Sequence, residues 1–262
     1  MKKNLIRMIL FLFLVALVAG CGTSSSKDDS NGSSGEDVET YTVATDANFQ
    51  PFEYKNPETG EMEGFDIDLI KAVAEEAGFN VEFKTMEFDG LIASMQSGKF
   101  PIGIAGISIT EKRQETIDFS DSYYDSGLIL AVPENSTIES IDDVDGLKIG
   151  ARQGSTSEEY LNGNTDAEVV AYPEIVTAYM NLQKDRLDGV LYDLPNVKYY
   201  ISQNAEGELK TVGDVLEGQP YGIAFPKDSD LVEPVNEALA ALKENGTYDE
   251  IYKKWFGSEP SK

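Results

Sequence analysis

The sequence predicts an α/β protein with two doubly wound regions, because two stretches alternate between helix and strand. The first stretch runs from Gly64 to Gly106 and the second from Leu128 to Asp193. In both, apolar residues recur every three or four positions in the helices, and short continuous apolar runs mark the strands. Ligands bind such sheets beyond the carboxyl ends of the strands, so residues that follow a strand are candidate site residues.

A strand over residues 41–45 precedes the first stretch and ends at Asp46. Asp46 and Phe49 therefore follow a strand end, where residues of a cleft belong. A turn aspartate and a core phenylalanine are ordinary alternatives for these positions, and from this pattern alone they stay open.

Within the first stretch a helix is predicted with Asp66 as its N-cap and Gly78 as its stop. A strand over 81–86, a helix opened by Asp89 and a strand over 102–106 follow. The candidate cleft residues lie at or just after these strand ends: Phe88, Ala105, Gly106 and Ser108.

The next predicted helix begins after Thr110, its N-cap, and places Arg113 in the first helical turn. A cation there is unfavourable for the helix dipole unless an anion compensates it. A bound carboxylate would do so, and a solvated surface arginine is the open alternative.

The second stretch contains predicted strands over 128–132, 147–152, 167–171 and 188–193. Residues 153–157 form a turn into one helix, and 172–182 have the spacing of another. Its candidate site residues occupy strand ends and a helix start: Arg152, Thr156 and Asp193.

The C-terminal part is predicted to form a strand over 222–226 and a helix over 231–242 that ends at Asn245 and Gly246. A capping box over 247–250 is predicted to open a last helix over 251–256.

The composition restricts the possible partners and cofactors. A formal net charge of −26 argues against binding to nucleic acid or to anionic lipid. The absence of histidine argues against a histidine–zinc site and against a histidine-based catalytic triad. We therefore expect no metal, no cofactor and no catalytic residue.

The N-terminus is predicted to be a signal peptide over residues 1–20, because its apolar run is shorter than the ~20 residues that span a bilayer. A retained membrane anchor is the alternative. The tetrapeptide before and including Cys21 resembles the lipobox of bacterial lipoproteins, which implies a diacylglyceryl group on that cysteine. Residues 21–39 are rich in serine, glycine and acidic residues and suit a flexible tether.

Seven stretches together resemble the solute-binding proteins of amino-acid ABC importers, and most of all their glutamine-binding members. They are ATDANFQPFEY, GFDIDLIKAVAEEAG, AGISITEKR, IDFSDSYYDSG, LYDLPN, YGIAFPKDSD and LKENGTYDEIYKKWFG. The resemblance covers nearly all of residues 41–257 and implies a type II periplasmic-binding-protein-like fold with two doubly wound lobes joined by a two-segment hinge. The implied large lobe is 40–124 with 220–258, the small lobe is 125–219, and the crossing segments lie near 123–127 and 217–221.

The resemblance also implies roles for the site residues. Arg113 would hold the α-carboxylate of an amino acid and Asp193 its α-ammonium group, with polar contacts from Gly106 and Ser108. Phe49 and Phe88 would enclose the ligand side chain, and Asp46 would accept a hydrogen bond from its amide. Four positions depart from the glutamine-binding pattern. Arg152 stands where that pattern has lysine, and Thr156 where it has glycine. Tyr192 stands where it has histidine, and Ser108 where it has threonine.

The resulting expectation is a monomeric, lipid-anchored, extracytoplasmic receptor that delivers a free L-amino acid to the membrane permease of an ABC importer. Glutamine is the first choice, because Asp46 and Arg152 offer its neutral carboxamide one acceptor and one donor. Arginine, asparagine and glutamate are the alternative ligands. An enzyme or a sensory domain on the same fold is an alternative class, because the fold alone does not fix the function.

Overall fold

The computed structural model describes residues 38–216 and 218–260. In chain order the strands are β1 (Thr40–Thr45), β2 (Asn48–Phe49), β3 (Glu53–Lys55), β4 (Met62–Glu63), β5 (Asn80–Thr85), β6 (Ile102–Gly103), β7 (Ile117–Phe119), β8 (Leu128–Pro133), β9 (Lys148–Arg152), β10 (Glu168–Tyr172), β11 (Gly189–Asp193), β12 (Leu209–Leu216) and β13 (Ala224–Pro226). The helices are α1 (Phe65–Ala77), α2 (Phe88–Gln96), α3 (Glu111–Gln114), α4 (Thr156–Asn164), α5 (Ile175–Leu182), α6 (Leu194–Asn204), α7 (Val232–Asn245) and α8 (Thr247–Phe256), with a 3-10 turn at Ile141–Asp143.

The first lobe is built on a five-stranded sheet in the order β5-β1-β6-β13-β7. Strand β1 is parallel to β5 and β6, whereas β13 is antiparallel to β6 and β7. Helix α1 packs against α7 and α8, so the C-terminal helices return to the first lobe. A small sheet of β2, β3 and β4 lies in the same part of the chain.

The second lobe is built on a five-stranded sheet in the order β10-β9-β11-β8-β12. Strand β9 is parallel to β10 and β11, and β8 is antiparallel to β11 and β12. Helices α4, α5 and α6 pack on this sheet. The structure therefore confirms the predicted two-lobed α/β fold, with mixed rather than wholly parallel sheets.

The chain passes between the two sheets after β7 and again after β12, and the two crossings pair with each other. Tyr124 and Tyr221 form an antiparallel bridge. The backbone N–H of Gln219 donates to Ser126 O at 2.8 Å, and that of Tyr123 donates to Tyr221 O at 2.9 Å. These segments coincide with the predicted crossings, apart from Glu217, which lies outside the described residues.

The first helix corrects one prediction, because its N-cap is Gly64 and not Asp66. Gly64 has a φ of 134°, and a Cβ there would lie 2.0 Å from the carbonyl oxygen of Phe52, so only glycine fits this approach. Asp66 is inside the first turn and fully buried. Its carboxylate is used in a tertiary contact instead of a cap.

The last helix corrects a second prediction, because α8 begins at Thr247 and has no side-chain cap. Gly246 adopts the left-handed conformation, ends α7 and directly precedes α8, so the predicted capping box over 247–250 lies within the helix. Strand β6 is also shorter than predicted, since the chain leaves the sheet after Gly103. The sequence analysis did not identify β2 to β4, β7, α6 or β12.

Among residues 38–216 and 218–260, no helix combines the length and the apolar character needed to cross a membrane. The predicted signal peptide, Cys21 and nearly all of the tether lie outside the described residues.

Candidate functional site

The predicted site residues come from both lobes, and several of them meet where the lobes face each other. The first lobe supplies Asp46 just after β1, Phe49 in β2, Phe88 at the start of α2 and Arg113 in α3. The second supplies Arg152 at the end of β9, Thr156 at the start of α4, and Tyr192 with Asp193 at the end of β11. All eight are buried.

One end of this cleft holds a buried ion pair between the lobes. Arg152 Nη2 donates to Asp46 Oδ2, and each side chain is only 1% exposed. Arg152 also donates through Nη1 to the Tyr192 hydroxyl and through Nε to Pro173 O, both at 3.3 Å. At this end of the cleft the two buried charges neutralise each other within the protein, which offsets the cost of burying them.

The other end holds Arg113, which has no carboxylate partner among the described residues. The side chain of Thr110 accepts from the backbone N–H of Arg113 at 3.2 Å, which confirms the predicted N-cap. The guanidinium donates through Nη1 to Ser108 O at 3.0 Å and through Nη2 to Gly154 O at 3.2 Å, so both of its acceptors among the described residues are carbonyls. Burial lowers the pKa of Arg113, because desolvation disfavours its charge.

Asp193 likewise has no ion pair with any described residue, although it is buried and only 8% exposed. It is the N-cap residue of α6, but its side chain makes no capping hydrogen bond. Burial raises the pKa of Asp193 to about 6, and the hydrogen bond with the Tyr221 hydroxyl opposes this shift. A buried cation and a buried anion therefore face the cleft from opposite lobes without a direct ion pair among the described residues, although the charge of each favours the ionised form of the other.

Aromatic rings lie between the charged groups. The Phe88 ring lies 4.8 Å from the Arg152 guanidinium carbon and 5.4 Å from that of Arg113. The Phe49 ring meets Tyr192 edge-on at a centroid distance of 5.7 Å. The predicted enclosure of a ligand side chain by Phe49 and Phe88 stays a prediction.

The remaining predicted residues line the first-lobe turn. Gly106 has a φ of 52°, and a Cβ there would lie 2.3 Å from the Phe49 ring, so a side chain at this position is excluded. Ser108 forms a bridge with Tyr221. Ala105 packs in the cluster that contains Phe88.

The structure adds contacts that the sequence analysis missed. The Asn196 amide of the second lobe donates to Gln50 O of the first at 2.6 Å, and Lys112 pairs with Glu159 across the lobes at 2.5 Å. Tyr221, fully buried, hydrogen-bonds Ser126 Oγ at 2.9 Å and also reaches Asp193. Asn196 and Tyr221 stand inside sequence stretches that carry the family resemblance, which was the available signal.

The fold and this site define a two-lobed binding protein whose buried cleft is completed by groups from both lobes. Residues 41–258 match the family described as bacterial extracellular solute-binding proteins, family 3. The chain belongs to this family. It is accordingly a solute-binding protein rather than an enzyme, as the sequence predicted.

Two similar curated proteins come from Bacillus subtilis (strain 168). The ABC transporter glutamine-binding protein GlnH is 32% identical over 276 residues, covering 100% of both chains. The arginine-binding extracellular protein ArtP is 30% identical, covering 99% of this chain and 100% of its own.

A similar solved structure is that of an ancestral arginine-binding protein. Bound to arginine it is 43% identical with a TM-score of 0.79, covering 83% of this chain and 98% of its own. Bound to glutamine it gives a TM-score of 0.76, covering 84% of this chain and 98% of its own.

Proposed function

We propose that this solute-binding protein, which is of the amino-acid ABC-importer type, binds free L-glutamine between its two lobes. The observation that carries the proposal is one buried charge on each lobe, Arg113 and Asp193, neither of which forms an ion pair with a described residue. An amino-acid zwitterion supplies a carboxylate for the first and an ammonium group for the second. The arginine fork suits a carboxylate because it can donate two parallel hydrogen bonds.

The charge balance at the Asp46–Arg152 end of the cleft favours glutamine among the amino acids. Asp46 and Arg152 neutralise each other, so a neutral polar side chain adds no net charge to a buried site. A carboxamide can donate to Asp46 and accept from Arg152 without separating their charges. Glutamate would place a carboxylate beside Asp46, and asparagine is one methylene shorter.

Arginine is the second candidate, and Asp46 is the observation that favours it. A ligand guanidinium could replace that of Arg152 on this buried carboxylate. The cost is a second cation beside Arg152, which would then have to move away. Several similar proteins are named for arginine, including one also solved with glutamine.

A thermal-shift screen of the twenty amino acids on residues 38–262 tests this function. A ligand that binds only the folded state raises the melting temperature, so glutamine should give the largest increase. If none of the twenty amino acids raised the melting temperature, the proposed function would be contradicted. If arginine gave the largest increase, the second candidate would be favoured.

We further propose that the protein is monomeric and extracytoplasmic, is anchored by lipid on Cys21, and delivers its ligand to an ABC permease. Cys21 is the only cysteine, and it follows an apolar run too short to span a bilayer. Metabolic labelling with a fatty-acid analogue should therefore mark the wild type and not Cys21→Ser. Equal labelling of both would contradict the anchor.

A further inference from the structure

Two carboxyl groups lie buried together beneath the cleft, at Glu53 in β3 and Asp66 in α1. Both residues are 0% exposed. Asp66 Oδ2 accepts hydrogen bonds from the backbone N–H of Gly106 and from the Tyr123 hydroxyl, each at 2.8 Å. Asp66 thus ties a turn of the candidate site to the crossing segment that contains Tyr123.

The remaining oxygens of the two groups lack donors. No described residue donates a hydrogen bond to either carboxyl oxygen of Glu53 or to Oδ1 of Asp66. The two carboxyl groups lie within hydrogen-bonding reach of each other. Two ionised carboxylates in this position would repel each other and stay unsatisfied, whereas a single proton between them supplies the missing donor.

The charges around the pair favour retention of that proton. Burial raises the pKa of Glu53 well above its ordinary range, and the neighbouring Asp66 and Asp46 raise it further, while Arg152 opposes them. Arg152 is already paired with Asp46. Burial raises the pKa of Asp66 to about 6, and the hydrogen bonds from Gly106 and Tyr123 oppose this. Asp66 already accepts two hydrogen bonds, whereas neither oxygen of Glu53 accepts one from a described residue, so Glu53 is the better placed of the two to carry the proton.

We propose that Glu53 and Asp66 share one proton at neutral pH and act as positioning residues that hold the Gly106 turn in its ligand-binding geometry. The ionised Asp66 accepts from Gly106 and Tyr123, and the protonated Glu53 donates to Asp66. The Gly106 turn needs this support, because its backbone is left-handed and packs directly on the Phe49 ring. The proposal rests on the proposed function only in treating Gly106 as part of the ligand site.

The shared proton can be tested without any ligand, by measuring unfolding in urea between pH 5 and pH 8. A folded carboxyl with a raised pKa keeps a proton that the unfolded chain releases, so its stabilising contribution is lost as pH rises through the folded pKa. The wild type should therefore take up about one more proton on folding than Glu53→Gln, whose amide donates without titrating. Glu61→Gln, the same change at an exposed position, should behave like the wild type. Equal proton uptake by the wild type and Glu53→Gln would overturn the shared proton.

The positioning role is tested by calorimetry with glutamine at pH 7. Glu53→Gln should keep the affinity within about threefold of the wild type, because its amide restores the donor to Asp66. Glu53→Ala should weaken it by about tenfold or more, because Asp66 loses that donor. Equal affinities for Glu53→Ala and the wild type would overturn the positioning role. If Glu53→Ala does not fold, Asp66→Asn replaces it and should also weaken binding by about tenfold, since the neutral amide accepts less strongly from Gly106.

A failure of the proposed function would look different from a failure of this inference. If the proposed function were wrong, the wild type itself would bind no amino acid, while the urea experiment would still show whether the proton is shared.

Discussion

Two buried arginines face the same cleft, and they differ in what neutralises them. Arg152 is paired with Asp46 across the lobes, whereas the acceptors of Arg113 within residues 38–216 and 218–260 are the carbonyls of Ser108 and Gly154. Asp193, which faces the same cleft, is also without an ion-pair partner in the part of the chain that is described. On the proposed function, the charges of a ligand complete the Arg113 end, whereas the Arg152 end needs none. The difference predicts a zwitterion that carries a neutral side chain.

The largest effects are expected from removing the unpaired charges. Arg113→Ala and Asp193→Ala should each weaken glutamine binding by about 2 to 5 kcal/mol, because each leaves a charge of the ligand buried and unpaired. The relative affinities for different side chains should persist. Calorimetry measures both quantities, with the exposed Arg186→Ala as a control for the loss of an arginine.

Ligand analogues sharpen this prediction. Removing the α-carboxylate of glutamine gives 4-aminobutanamide, which should bind the wild type far more weakly than glutamine does. Arg113→Ala should discriminate little between these two ligands, because the partner of the carboxylate is gone. Full discrimination in that variant would mean that Arg113 does not hold the carboxylate.

Changes at the paired end should alter selectivity in opposite directions. Asp46→Asn leaves Arg152 without its counter-charge, so the affinity for glutamate should rise about tenfold or more relative to glutamine. Arg152→Gln leaves Asp46 unpaired, so arginine should gain relative to glutamine by a similar factor. Competition binding assays measure these ratios, and unchanged ratios in both variants would contradict the role given to the ion pair.

The smallest predicted effect is the pH dependence of binding. Asp193 must be ionised to pair with the ligand ammonium, and burial raises its pKa to about 6. Lowering the pH from 7 to 5 should therefore weaken glutamine binding by about tenfold, since binding must then release a proton. Asp193→Asn should bind weakly at both values with a flatter profile. A flat profile for the wild type would contradict this assignment.

Local signals allowed much of the fold and several placements to be predicted. The Thr110 cap and Arg113 in the first turn of α3 could be read from neighbouring residues, and the structure confirms them. Asp66 shows why a local signal can mislead. A carboxyl near a helix start resembles a cap, but its partner Gly106 lies 40 residues further along the chain.

The ion pair shows a second limit of sequence reasoning. The sequence indicated that Asp46 and Arg152 both belong to the cleft, but not that they pair with each other across 106 positions. Strand β12 was missed for a local reason, because Gly213 and Asp214 interrupt its apolar pattern. Helix α6 did carry a start signal, since Pro195 stands in its first turn, but the sequence analysis did not use it.

The most direct test of the difference between the two ends is a calorimetric comparison of glutamine, arginine and glutamate on the wild-type protein at pH 7. Because the Asp46–Arg152 pair leaves no net charge for a ligand side chain, glutamine should bind most tightly and both charged amino acids more weakly. Tighter binding of arginine or of glutamate than of glutamine would contradict the account.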